Sequence, residues 1–154
     1  MEENAKLKAD FVTKTYGLDC FSDDTGLLVD ALDGRPGVFS ARYAGEDKNA
    51  QDNMAKVLSE LQGKSNRTAR FKTVIHLNLR GQSHVFEGIV EGHITEKEFG
   101  IAGFGYDPIF RPLGCDKTFG ELLAEVKNSI SHRGRAIAKL ANFLKNNGLQ
   151  APTE

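Results

Sequence analysis

Three short stretches of this sequence gather residue types that can do chemistry. Asp23-Asp24-Thr25-Gly26 sets two carboxylates side by side. Such a pair suits a hard cation such as Mg²⁺, which takes oxygen ligands and retains waters, and one carboxylate can also accept a proton from an attacking water. The same four residues equally suit a turn, where Asp, Thr and Gly are all common. Phe104-Gly105-Tyr106-Asp107-Pro108 places aromatics among glycines, so backbone can approach a flat ligand. A ring face stacking on a nucleobase contributes about 1–3 kcal/mol; the alternative is a glycine-kinked strand whose aromatics are core. In the third stretch, Lys127 to Arg133, Lys127 and Arg133 are cations, with His132 and Arg133 near a helix start. Cations are mildly unfavourable at a helix N-terminus, so their presence there hints at a bound anion or carbonyl; a solvated basic cap reads as well. Lys6 and Lys8 cannot both face a core, and a solvated lysine is the default for each.

The elements that must hold these stretches follow from periodicity and punctuation. Residues 2–16 read as a helix with Ala5, Leu7, Ala9, Phe11, Val12 and Tyr16 supplying apolar contacts, and Gly17 ends it in a left-handed conformation. Short strands are expected at Leu18 to Phe21 and Leu27 to Leu32, which puts Asp23 to Gly26 in the loop between them. Residues 47–62 have helical spacing of apolar positions. Phe71 to Leu79 alternates as a strand, apolar mainly on one face, and Arg80-Gly81-Gln82 turns it into a partner strand over Ser83 to Thr95. Thr118-Phe119-Gly120-Glu121 matches a capping box opening a helix at Leu122. Ser131 to Asn146 is a final helix with Ile137, Leu140, Ala141 and Leu144 inward, and Gln150 to Glu154 is a frayed tail.

Composition bounds the partners. At 154 residues, with 40% hydrophobic and 27% charged positions, one compact α/β domain over 1–149 is expected. The net charge of -1 gives no basic excess for nucleic acid, so an anionic ligand would need a locally basic site. No apolar run approaches the roughly 20 residues that span a bilayer. The start, MEENAKLKAD, has no apolar signal core, which makes the cytoplasm the default. Cys20 and Cys115 show no CxxC spacing and are read as reduced thiols.

In order, Glu3-Asn4-Ala5-x-x-Lys8-Ala9, Asp23-Asp24-Thr25-Gly26-Leu27, Pro36-Gly37-Val38-x-Ser40-Ala41-Arg42-Tyr43, Gly103 to Phe110, Thr118-Phe119-x-Glu121-Leu122 and Ser131-His132-Arg133 form a distinctive series. In that order and spacing the sequence resembles the inosine/xanthosine triphosphate pyrophosphatase family almost from Met1 to the final helix. The resemblance implies an elongated mixed α/β fold, a mixed β-sheet with flanking helices, with the site in a cleft between two lobes. It implies a homodimer, Mg²⁺ as cofactor, and hydrolysis of dITP, ITP and XTP to monophosphate and pyrophosphate. Carried over, Asp24 is the metal-linked carboxylate that activates water, supported by Asp23, and Thr25 stands where a substrate-contacting serine is usual. Lys8 reaches the phosphates, Phe104, Gly105, Tyr106 and Asp107 line the base and sugar pocket, and Lys127, His132 and Arg133 surround the base. Hypoxanthine and xanthine present a carbonyl where adenine presents an amino group. Donor-only Arg133 and a donating His132 satisfy the former and are left unpaired by the latter.

The departure from the family pattern is at the front. The family's first strand, its Thr/Ser-x-Asn-x-x-Lys triphosphate loop, its first helix and a metal-linked Glu-Thr-Gly segment have no counterpart after Met1. A shortened gene model, a fragment or a deletion would all look the same. Two readings are therefore carried: an active pyrophosphatase, and a folded remnant that binds purine nucleotide weakly or only self-associates. An unpaired sheet edge is expected on either.

Overall fold

The computed structural model describes residues 1–149; the expected frayed tail, Gln150 to Glu154, lies outside the described residues. The elements run α1 (Glu2–Tyr16), β1 (Cys20–Val29), α2 (Ala50–Glu60), β2 (Thr68–Leu79), β3 (Gln82–Ile94), β4 (Phe110–Pro112), α3 (Ala124–Ile130) and α4 (His132–Asn146). The four strands form one open antiparallel sheet in the order β1-β2-β3-β4, and β3 meets β4 with His93 opposite Arg111. This is a mixed α/β fold with helices flanking a sheet, as expected from the sequence.

The chain resolves into two compact units. The first comprises Met1–Thr25, Lys72–Ile89 and the segment from Ser131 onward; the second comprises Gly26–Phe71 and Val90–Ile130.

In the first unit, β2 is covered on both faces. Ile75, Leu77 and Leu79 pack with Ala136, Leu140 and Leu144 of α4. On the opposite face, Asn78 donates to Asp10 and Thr13 of α1 at 3.0 and 3.2 Å, and His76 meets Asn78 at 3.1 Å. This differs from the expectation of a strand apolar mainly on one face. Thr73 to Leu79 are all buried, because the polar face has hydrogen-bonding partners that remove the cost of burying it. The Lys6–Asp10 pair and the amide of Asn78 hold the Asp10 carboxyl below its usual range.

α1 ends as expected at Gly17, with φ 68°. Its buried stripe is Ala5 and Ala9, four residues apart, whereas Leu7, Phe11 and Tyr16 are exposed. Two methyl groups on one face let the helix lie close to the strands, so the larger side chains stand outward. α4 is capped by Ser131, whose hydroxyl accepts from the Gly134 amide at 3.0 Å. Its inward residues are His132, Ala136, Leu140 and Leu144; Ile137 and Ala141 are only half-buried. The β2–β3 turn is Arg80-Gly81, with φ of 51° and 78°, the left-handed pair a tight two-residue hairpin requires.

The second unit is built around Leu27, Val29, Met54, Val57, Phe71, Phe110 and Phe119. The Phe71 and Phe110 rings lie 4.5 Å apart, a separation at which aromatic pairs attract beyond their area burial. The expected capping box forms only in part. Glu121 accepts from the Thr118 amide at 3.0 Å, but the Thr118 hydroxyl donates to Phe99 O at 2.7 Å and no helix starts there. The box closes a turn, and α3 begins at Ala124. Both cysteines are free thiols, and no described helix is long and apolar enough to cross a membrane.

β3 and α4 approach closely at Gly88. A Cβ there would lie 1.9 Å from His132 O and 2.6 Å from Ala136 N, both backbone atoms of α4. Gly88→Ala is therefore expected to destabilise the protein by about 1–3 kcal/mol, the usual cost of overpacking. The check is a lower denaturant midpoint with unchanged slope in equilibrium unfolding.

Candidate functional site

The strand that carries Asp23-Asp24-Thr25 decides the geometry of the first cluster. These residues were expected in a loop between two short strands; they lie instead inside the continuous strand β1. Successive side chains of a strand point to opposite faces, so the two adjacent carboxylates part company. Asp23 and Thr25 face α4: Arg133 Nη1 is 3.1 Å from Asp23 Oδ2, and Nη2 is 3.4 Å from the Thr25 hydroxyl. The Thr25 hydroxyl also meets that of Thr73 on β2 at 2.8 Å. Asp24 faces α1, where Asn4 Nδ2 lies 3.4 Å from Asp24 Oδ2. Lys8 donates to the backbone carbonyl of Asp23.

Asn4 and Lys8 are four residues apart, hence on one face of α1, and that face meets β1. The Asp23 and Arg133 side chains are 37% and 49% exposed. A pair so open to solvent contributes little to stability, about 0–1 kcal/mol, and an arriving anion can draw Arg133 away cheaply.

The second cluster, within the other unit, is tighter. Asp107 is buried, and one of its oxygens, Oδ2, accepts from the Phe104 amide at 2.9 Å and from Lys127 Nζ at 2.6 Å. Gly103 makes this possible: its φ is +74°, and a Cβ there would fall 2.1 Å from Asp107 Oδ2. The Lys127 ammonium also stands 4.3 Å from the centre of the Phe104 ring and 5.8 Å from that of Phe119. A largely buried cation thus has a carboxylate on one side and ring faces on others, the arrangement in which cation–π attraction is strongest. Phe104 itself is 68% exposed, with its ring available to a flat ligand. Gly105, at φ 60°, follows it. Tyr106 is buried and donates its hydroxyl to Ser40 O at 2.6 Å, and burial pushes its pKa up. It anchors the loop on which Phe104 stands.

The run Lys127 to Arg133 is divided by the fold. Lys127 sits in the last turn of α3 in the second unit. His132 and Arg133 open α4 in the first, His132 buried and Arg133 exposed. Sequence reasoning gave no role to Asn4, Thr73 or Ser40. The spacing of Asn4 from Lys8 was a usable signal for the first; the other two needed the pairing of β1 with β2 and the fold of the second unit.

Among the described residues no group of three or more His, Cys, Asp or Glu side chains gathers. Asp24, half-exposed with one long amide contact, could serve as an oxygen ligand to a hard divalent cation such as Mg²⁺. That ion is commonly held by one or two carboxylates, substrate phosphates and waters. Asp23 is the weaker candidate, because Arg133 occupies its carboxylate.

The model of the Ham1 family matches residues 1–143. The chain belongs to the Ham1 family. The match takes in every residue of both clusters, from Asn4 to Arg133, in agreement with the resemblance read from the six ordered motifs. Among Ham1 relatives, the dITP/XTP pyrophosphatase of Flavobacterium johnsoniae is 60% identical over 144 residues, covering 94% of this chain and 75% of that protein. The dITP/XTP pyrophosphatase of Bacillus subtilis is 50% identical over 147 residues, covering 94% and 74%. The solved structure of the Staphylococcus aureus Ham1 protein superposes with a TM-score of 0.93 at 44% identity, covering 95% of this chain and 77% of that one. The chain thus spans about three-quarters of the length of the relatives it matches.

Lys127→Met removes the counter-ion of a buried carboxylate and is expected to cost about 3–5 kcal/mol of stability. Adding Asp107→Asn to that variant should restore part of the loss. A double-mutant cycle by chemical denaturation measures both, and full additivity would mean the two groups do not interact.

Proposed function

We propose that this chain is a nucleoside triphosphate pyrophosphatase that hydrolyses dITP, ITP and XTP to the monophosphate and pyrophosphate, and so clears non-standard purines from the nucleotide pool. The observation that carries the reading is the division of charge in the first cluster. Asp24 has its carboxylate nearly free, while the cations Lys8 and Arg133 stand by the same strand. A carboxylate that is not consumed in an ion pair can take a proton from water, and flanking cations stabilise the charge that develops on phosphate.

In this reading Asp24 accepts the proton of the attacking water as the α–β anhydride bond breaks and pyrophosphate leaves. Lys8 shifts from the Asp23 carbonyl to a phosphate oxygen. Thr25 donates its hydroxyl to the substrate, and Asp23 orients Arg133. Phe104 offers its exposed ring to the base, Gly105 keeps the backbone beside it clear, and Asp107 holds Lys127. Two of the three Lys127 donors remain for a purine carbonyl. Tyr106 supports the loop that carries Phe104 through its hydroxyl on Ser40 O, and the family resemblance gives His132 the role of a donor to the base, with Arg133 beside it. A purine bearing an amino group in place of the carbonyl leaves such donors unpaired, the kind of mismatch that discriminates strongly.

Asp24 would hold Mg²⁺, which would neutralise phosphate charge and make bound water more acidic, whereas Asp23, on the opposite face of β1, stays with Arg133. Mg²⁺ as the particular metal, a homodimeric assembly and a cytoplasmic setting are parts of the proposal supported by the family resemblance.

The test is pyrophosphate release from dITP, XTP and dATP in the presence of Mg²⁺. The intact chain should favour dITP and XTP over dATP, and Asp24→Asn should lower kcat by at least about 100-fold, the low end of what general-base removal costs. Indistinguishable rates for the intact chain and Asp24→Asn would refute the assignment.

A further inference from the structure

A second basic pocket lies in the second unit, away from any residue given a role above. It is a cavity of about 280 Å³ whose lining includes Arg67, His93, Arg111, Glu96 and Phe99. Three cationic or potentially cationic side chains converge there. His93 and Arg111 are directly opposed in the antiparallel register of β3 and β4, a pairing that like charges disfavour. Arg67 is fixed by its own hydrogen bonds, from Nε to Ile94 O at 2.8 Å, from Nη1 to Leu61 O at 3.2 Å and from Nη2 to Thr95 O at 2.6 Å. All three acceptors are neutral carbonyls, so its charge is positioned without being cancelled. Lys97 adds a further cation, 5.4 Å from the centre of the Phe99 ring.

Little opposes this charge. Among the described residues, none of the ion pairs includes Arg67, His93, Lys97 or Arg111. Glu96 is the one carboxylate of the lining and is itself exposed to solvent, and Glu91, one position along β3 from Gly92, is taken by Arg70 at 2.9 Å. Arg111 Nε is buried with no hydrogen-bond partner. Nε is sealed from solvent, so a ligand would be met by the two terminal nitrogens of Arg111, a planar pair that matches the paired oxygens of an oxyanion. Burial first, then the fields of Arg111 and Arg67, push the His93 pKa down.

We propose that this pocket binds a small phosphate anion, of the size of inorganic phosphate or pyrophosphate, with Arg111 as its bidentate donor and Arg67 as a fixed charge. A volume of about 280 Å³ is below the usual range for drug-sized ligands, roughly 300–1,000 Å³, which favours the bare anion over a whole nucleotide. The site is independent of the hydrolytic reading, since it shares no residue with either cluster.

The experiment follows the His93 imidazole resonances of the full chain by NMR while inorganic phosphate, pyrophosphate or acetate is added at constant ionic strength. Phosphate or pyrophosphate should shift the His93 signals saturably and raise its pKa, because a bound anion offsets the field of the two arginines. The two titrations distinguish which anion is preferred. Arg111→Met should weaken binding by at least about tenfold, the loss expected with a charge-assisted bidentate contact. Arg111→Lys, which preserves charge and fold but not the planar fork, should fall between. Unchanged affinity in both variants, or a His93 response to acetate equal to that to phosphate, would overturn the proposal. So would an unmoved His93 in a chain whose spectrum shows it folded.

Discussion

Alternation along β1 is the constraint on which the first cluster depends. Two adjacent carboxylates in a loop could turn toward one cation together; inside a strand they are driven to opposite faces. Asp23 then meets Arg133 of α4, and Asp24 meets Asn4 of α1. One acid becomes a positioning partner for a cation, and its neighbour is left nearly unengaged. The same geometry gives Lys8 its place, since the helix face that presents Asn4 also presents the residue one turn later. A one-residue slip of β1 would exchange the two acids and leave Arg133 beside the wrong one.

That arrangement requires helices on both sides of the strands, and the burial of β2 supplies it. Its apolar residues pack against α4, while His76 and Asn78 bond into α1 through Asp10 and Thr13. A polar face can be buried when its groups are satisfied, so β2 serves as a central strand despite its mixed sequence. The small stripe of Ala5 and Ala9 and the bare backbone at Gly88 set how near each helix comes.

The second cluster uses a different device. A single carboxylate oxygen of Asp107 collects the Phe104 amide and the Lys127 ammonium, so loop conformation and local charge are tied to one atom. Tyr106, buried with its hydroxyl on Ser40 O, holds the loop from beneath. Phe104 can therefore stay exposed without the loop depending on it for packing.

Much of this was legible in the sequence. The helices at 2–16 and 131–146 followed from spacing, the first also from its end at Gly17, the hairpin from the Arg80-Gly81 turn, and the family from six ordered motifs, because each is written in local residue order. What the sequence did not reveal were consequences of contact. Asp23 to Gly26 has turn composition, yet it is held in a strand by pairing with β2. The Thr118 hydroxyl is diverted from a cap by Phe99 O. Leu7, Phe11 and Tyr16 look like core and stand exposed, because alanines set the helix down on another face. Local propensity names the residue types and their order. Which face each one occupies, and so which carboxylate is left free, depends on partners distant in the chain and was decided only when the strands and helices packed.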